Sequence, residues 1–334
     1  MSSPIGRREF LAGMAAMTAL HAAPRFATAR DSDSPFRVAV INDEISQDFG
    51  HSCEVASREF GMQWIELRGM WKKNIVNLDD KEVVEARRIL EKYQLKVTDI
   101  ASPLFKVDWP GAPKSKYSEA KSFGANFTLN QQDEVLDRAI SMAKAFGTDR
   151  VRCFDFWRLE DSAPYRAAIN EKLRDAAAKA EKNGLVLVLE NEYACNTATG
   201  AEAAKVLSQV QTPALMLNWD PGNAAARGEI PYPNGYALLP KSRIGHCHCK
   251  DAVKKGDHYD WAPMGGGIID WAGQFKALKA DGYRYAVSLE THWNGGGSPE
   301  ECSRKSWAGM KKLLEQAGGW RVIGSDQWPM ISCS

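Results

Sequence analysis

From residue 37 onward, short apolar runs rich in Val, Ile and Leu alternate with longer segments of helical period, and the alternation repeats eight times. Strands are expected at Arg37–Ile41, Trp64–Arg68, Lys96–Ala101, Arg150–Phe154, Leu185–Asn191, Ala214–Trp219, Arg243–His248 and Tyr285–Leu289. Helices are expected at Glu54–Phe60, Asp80–Tyr93, Asp133–Phe146, Pro164–Asn183, Gly200–Gln209, Trp271–Ala280 and Glu300–Ala317. An unbroken run such as Leu185-Val186-Leu187-Val188-Leu189 suits a strand covered on both faces, as in a parallel sheet wrapped by helices. Asn183-Gly184 and Asp281-Gly282 place glycine just past a helix end, where the left-handed conformation carries no Cβ penalty. The stretch 221–242 is rich in Pro, Gly and Asn and leaves room for a short helix at most. Together these features predict an α/β protein, a single-domain (β/α)8 TIM barrel over residues 37–320. No Gly-x-Gly-x-x-Gly follows an early strand, which argues against a dinucleotide fold. The connection 102–130 is long for a βα loop and is expected to act as a lid.

The flanks read differently. Arg7-Arg8-Glu9-Phe10-Leu11, the uncharged Ala-rich run 12–23 and the small-x-small site Ala27-Thr28-Ala29 predict a Tat-type signal peptide over 1–29. The Tat export machinery is then a partner, and the destination is periplasmic or otherwise exported. The apolar run is too short to span a bilayer. Residues 30–36 read as a linker and 321–334 as a C-terminal tail. Removing Arg7, Arg8, Arg25 and Glu9 from 43 basic and 42 acidic residues leaves 40 and 41, a net charge of −1. Such a chain has no basic stripe for nucleic acid and no polybasic segment for a membrane surface. The 7 cysteines are odd in number and scattered, unlike a disulfide framework. Cys247 and Cys249 flank His248 on a strand and read as small apolar fillers. Assembly into an oligomer is compatible with all of this.

In a barrel the chemistry sits at the C-terminal ends of the strands. Four successive strands end in Glu190, Asp220, His248 and Glu290, spaced by 30, 28 and 42 residues. Three carboxylates meeting at one mouth repel strongly unless a cation joins them, so one divalent metal is expected. Oxygen-rich ligation with a single nitrogen favours Mn²⁺ or Mg²⁺, with Co²⁺ or Zn²⁺ next.

The ordered motifs Leu189-Glu190-Asn191, Trp219-Asp220-Pro221-Gly222-Asn223, His246-Cys247-His248-Cys249-Lys250-Asp251, Gly265-Gly266-Gly267-Ile268-Ile269-Asp270-Trp271 and Leu289-Glu290-Thr291 resemble the xylose isomerase-like barrel superfamily of sugar phosphate isomerases and epimerases. Asp43-Glu44-Ile45-Ser46 and Ile65-Glu66-Leu67-Arg68 resemble it too, so the likeness runs over most of the chain after the signal. It implies Glu190, Asp220, His248 and Glu290 as metal ligands and selects His248 over His246. It further implies that Glu190 and Glu290 face opposite sides of a carbohydrate substrate and act as acid and base, abstracting a proton next to a carbonyl. The expected function is a metal-dependent isomerase or epimerase-like enzyme. The same first step serves a lyase or dehydratase eliminating from a keto-sugar or keto-glycoside, and a barrel without turnover would be a sugar-binding protein.

Ketose 3-epimerases of that superfamily carry His, Glu and Arg where this chain has Asn223, Asn196 and Lys254, positions that contact substrate there. Those three join Glu66, His246, Lys250, Trp109 and Trp261 as substrate-binding candidates. His246 shares the strand face of His248 one layer deeper, and Lys250 either reaches the mouth or pairs with Glu66. The tryptophans can stack on sugar faces or pack barrel to helix. Glu192 is read as support for Glu190 or as rim. Gly265-Gly266-Gly267 either offers amides to a ligand or merely precedes Asp270 as a helix cap. Endonuclease IV, a member of the same superfamily, is disfavoured because the histidines after the signal, at 51, 246, 248, 258 and 292, are too few for its three-zinc site.

Overall fold

The computed structural model describes residues 34–118 and 126–320. The signal segment, the tail and most of the linker expected from the sequence lie outside the described residues. Eight parallel strands form one sheet: β1 (Arg37–Val40), β2 (Trp64–Leu67), β3 (Lys96–Leu104), β4 (Arg150–Cys153), β5 (Val186–Glu190), β6 (Leu215–Trp219), β7 (Ile244–Cys249) and β8 (Ala286–Leu289). Each strand pairs with its sequence neighbour, β8 returns to β1, and the ring closes on a parallel bridge between Ile41 and Glu66 of β2. Around it run α1 (Phe49–Glu54), α2 (Asp80–Tyr93), α3 (Gln132–Phe146), α4 (Arg166–Lys182), α5 (Gly200–Gln209), α6 (Pro221–Ala226), α7 (Trp271–Ala280) and α8 (Pro299–Gln316). This is the (β/α)8 barrel that the alternation predicts.

Strand periodicity divides the side chains into two populations. Leu187, Leu189, Leu217, Val287, Cys247 and Cys249 belong to the hydrophobic shell between barrel and helices. The two cysteines are apolar fillers, as read. The alternate positions build a polar interior in which Glu66, Asp99, Arg152, Asn218, His246 and His248 are all buried. One of these depends on an irregularity. Ile65 pairs with Val97 and Leu67 with Ile100, so Thr98 and Asp99 together oppose the single residue Glu66. A bulge of this kind re-aims a side chain, and here it brings Asp99 to His246.

Local chemistry sets the helix ends. α2, α5 and α8 begin in capping boxes formed by Asp79/Glu82, Thr199/Glu202 and Ser298/Glu301. Gly184 and Gly282 take the left-handed conformation at φ 75°. α1 begins earlier than its apolar period suggests because the Asp48 carboxylate accepts the His51 amide at 3.1 Å. β3 runs to Leu104, three residues into the expected loop, and α6 is short, as the Pro- and Gly-rich sequence requires. Between β7 and α7 the chain adds an antiparallel hairpin, Asp251–Lys255 with His258–Ala262, which the alternation does not announce.

Candidate metal centre

The run Trp219-Asp220-Pro221-Gly222-Asn223 carries β6 into α6. Asp220 is the N-cap: its Oδ1 accepts the Asn223 backbone N–H at 2.8 Å, and Pro221 occupies the first helical position. Oδ2 is left for the barrel axis. Gly222 is demanded by packing, since a Cβ there would lie 2.7 Å from the Lys250 carbonyl oxygen. The Asn223 side-chain amide donates to Glu190 Oε1 at 3.2 Å and to Asp220 Oδ2 at 3.0 Å, tying together carboxylates from two strands.

Glu190, Asp220, His248 and Glu290 are buried, and each offers a ligand atom within 4.8 Å of the others. His248 Nδ1 stands 3.4 Å from Glu290 Oε2, 3.6 Å from Glu190 Oε1 and 3.9 Å from Asp220 Oδ2. It has no hydrogen bond of good geometry. A buried nitrogen left unpaired among three carboxylate oxygens is what a shared divalent cation satisfies, so the residues present fit a metal. The other ring nitrogen, Nε2, is 3.0 Å from Glu66 Oε1. That is the carboxylate support which fixes the tautomer and orientation of a ligating histidine. Burial opposes the charge on Glu66, but His248 and His246 outweigh it and hold its carboxyl at about 2.

Like charges about 4 Å apart repel by about 4 kcal/mol at an effective dielectric of about 20. Three buried cations answer the three carboxylates. Lys250 Nζ is 2.6 Å from Glu290 Oε2 and 2.9 Å from Asp220 Oδ2. Arg152 Nη1 is 3.1 Å from Glu190 Oε2, and Arg68 Nη1 is 3.2 Å from Glu290 Oε1. Arg68 also spans Asp43 at 2.9 Å and Glu44 at 2.7 Å. Protonation in the metal-free cavity follows. Burial resists ionisation of Glu190 and Glu290, yet His248 and Arg152 beside the first, and Lys250 and His292 beside the second, hold both well below the usual carboxylate range. Asp220 differs: burial, with Glu290 and Glu190 adding to it against Lys250, pushes its carboxyl up to about 7.

Several candidates take other places. His246 lies beneath His248, with Nδ1 3.1 Å from Asn218 Oδ1 and Nε2 3.0 Å from Asp99 Oδ1, so it is part of the barrel floor. Glu66 supports His248 from below, and Lys250 pairs with Asp220 and Glu290 instead of Glu66. Asn196 spends its side chain on backbone, accepting from Leu159 N at 3.0 Å and donating to the Asp155 carbonyl at 2.8 Å. Lys254 is exposed on the hairpin opposite Tyr259, away from the quartet. Trp109 packs edge-on to Phe156 at 4.7 Å, whereas Trp261 holds Lys250 Nζ 4.8 Å from its ring centre. The Gly265 and Gly267 amides donate to Asp251 Oδ2 at 3.0 and 3.1 Å, so they bind a protein carboxylate, and Asp270 caps α7. Glu192 is at the rim, 3.4 Å from Lys106 Nζ.

Residue types at strand ends do not disclose Arg152 or Asp99, and Arg68, which does close its strand, stands out in the sequence only within a motif. The signal for Arg152 is a charge inside an apolar strand, which must find a buried partner. Above the quartet, Arg68, Lys106, Arg152, Glu190, Glu290 and His292 border a cavity of about 20 Å³, room for about one water.

The family profile described as xylose isomerase-like TIM barrel matches residues 55–313. No curated protein matches the sequence. Among solved structures the chain is similar to a xylose isomerase-like TIM barrel protein from Mycobacterium smegmatis in complex with magnesium, at 18% identity over 85% of this chain and 98% of that one, with a TM-score of 0.61. It is also similar to the IOLI protein with a binding zinc atom, at 15% identity over 84% and 99%, TM-score 0.66. A D-allulose 3-epimerase from Methylomonas sp. in complex with D-allulose is similar at 16% identity over 86% and 99%, TM-score 0.58. At these identities the likeness is one of fold.

Proposed function

We propose, from the premise that the chain belongs to the xylose isomerase-like TIM barrel family, that it is a metal-dependent isomerase or epimerase-like enzyme moving a proton next to the carbonyl of a sugar or keto-sugar. The observation that carries this reading is the unpaired His248 Nδ1 among Glu190, Asp220 and Glu290. A divalent ion held there, Mn²⁺ or Mg²⁺ before Co²⁺ or Zn²⁺, supplies polarisation of a carbonyl and the hydroxyl beside it. Glu190 and Glu290 come from β5 and β8, on either side of the strands that carry Asp220 and His248. Each is kept ionised by its own cation, Arg152 for Glu190 and Lys250 for Glu290. Glu290 takes or returns the proton on one face of the substrate and Glu190 on the other. The pair Arg7-Arg8 supports export of this enzyme through the Tat machinery, to the periplasm.

Metal-loaded protein incubated in deuterated water with aldoses, ketoses and keto-glycosides is followed by NMR. Label is expected at the carbon next to the carbonyl with no fragment released, and Glu290→Gln abolishes the exchange, a loss of about 10²–10⁴-fold for removal of a positioned acid or base. Release of a fragment redirects the site to β-elimination. A sugar that binds but never exchanges sinks the reading.

A further inference from the structure

The quartet is closed off from solvent. Glu190, Asp220, His248 and Glu290 are at most 2% exposed, and the cavity above them, about 20 Å³, has room for about one water. A divalent ion arriving with its hydration shell is larger than that, and so is a sugar. Part of the cavity wall must therefore give before either reaches the carboxylates.

Most of the wall is fastened. Arg152 donates to Glu190 and to the backbone carbonyls of Ala101 and Ser102 at 3.1 and 3.3 Å, and Arg68 spans three carboxylates. The Asn74 side chain accepts the Val76 amide at 3.2 Å, and its backbone pairs with Gly69. Pro103 lies within β3, and the Phe154 amide just past β4 donates to the Leu104 carbonyl at 2.9 Å. His292 reaches solvent, but Glu44 holds it twice, by its amide at 3.1 Å and its ring at 3.3 Å.

Lys106 and Glu192 differ from these. Lys106 stands two residues past β3 and Glu192 two past β5, so the pair spans the end of β4 between them through one contact of 3.4 Å. The Lys106 side chain is 13% exposed, against 3% for Arg68 and 7% for Arg152. A single ion pair in reach of solvent shifts an equilibrium by up to about fivefold, which makes this the weakest tie in the wall. Each partner also has somewhere to rest when the tie breaks. Lys106 Nζ is 4.4 Å from the Phe154 ring centre and 5.5 Å from that of Trp157, and Glu192 Oε1 is 3.4 Å from the Ala194 amide.

We propose that Lys106 and Glu192 form a latch across the rim, closed at rest, whose parting admits the metal and then the substrate. This rests on the metal reading above and adds the route by which the ion enters.

The test needs metal alone. Uptake of Mn²⁺ by the full chain and its release to a chelating dye are followed by stopped flow for wild type, Lys106→Met, Glu192→Gln and the double variant. Charge and latch make different demands on the single variants. As charges, loss of Lys106 hastens the entry of a cation and loss of Glu192 slows it. As halves of a latch, loss of either one frees the other, so both variants take up and release the ion up to about fivefold faster, with the ratio of the two rates nearly constant. The double variant is then no faster than the singles, because one missing partner already opens the latch. Uptake that quickens in one single variant and slows in the other, rates equal to wild type in both, or a double variant showing the product of the two accelerations overturns the latch. Wild-type protein that takes up no Mn²⁺ refutes the metal centre and leaves nothing to latch, whereas normal uptake with unaltered rates in the variants refutes the latch alone.

Discussion

Strands β5 to β8 and strands β1 to β4 bring opposite things to one cavity. The first half ends in Glu190, Asp220, His248 and Glu290, the atoms that can hold a metal. The second sends in Arg68 and Arg152, which clamp two of those carboxylates, and Glu66 and Asp99, which hold the histidines from beneath. Lys250 is the exception, a cation supplied by the ligand half. One half supplies the candidate ligands and the other makes their charge tolerable. The two duties are separable by substitution.

The largest separation is expected in the metal-free protein. Arg152→Met leaves Glu190 buried without its guanidinium and lowers unfolding free energy by about 3–5 kcal/mol, the usual consequence of breaking a buried ion pair. Asp220→Asn removes one of three crowded charges, keeps a competent N-cap and leaves Lys250 paired with Glu290, so it costs less stability than Arg152→Met while metal binding is lost. Urea unfolding and metal titration of both variants check this. Equal destabilisation would erase the distinction.

Next in size is Glu66→Gln, which keeps all four ligands and weakens the support of His248 Nε2. Metal affinity should fall about 10- to 100-fold, as for other outer carboxylates. A competition titration with a chelating dye reads it, and an unchanged affinity would confine β2 to a packing role.

The smallest effect is a pH slope. The Asp220 carboxyl, pushed up to about 7 in the metal-free cavity, must lose its proton to ligate, so metal binding releases a proton below that pH. Affinity then rises with pH through about 7 as Asp220 ionises, and the slope extends above it because, against the pull of burial, Glu66, Glu290 and Glu190 hold the His248 proton well above the usual imidazole range. An affinity independent of pH below 7 would remove Asp220 from that role.

The same division decides what the sequence discloses. Strands covered on both faces leave apolar runs whose polar terminators are conspicuous, which is why Glu190, Asp220, His248 and Glu290 are legible. Arg152 lies within β4, where a charge is ambiguous until its partner on β5 is known. Asp99 turns inward because a bulge shifts its register, a fact that no period reveals. Lys250 shares a face with Glu66, but spacing gives face and not height, and its true partners lie at its own level. Lys254 and Asn196 are picked by position in a family pattern. The hairpin leaves the first exposed, and the loop after β4 occupies the second.

The ring of strands is fastened at Glu66, where a single bridge to Ile41 completes it. The residue whose backbone closes the circle is also the one whose carboxylate braces His248. Parting that seam would take the Glu66 support from His248, so an ion on the quartet would favour the closed ring by the difference between its affinities for the two states. A metal held there would thus double as a clasp. Amide protons of β1 and β2 would report its presence through slower exchange, although neither strand touches it.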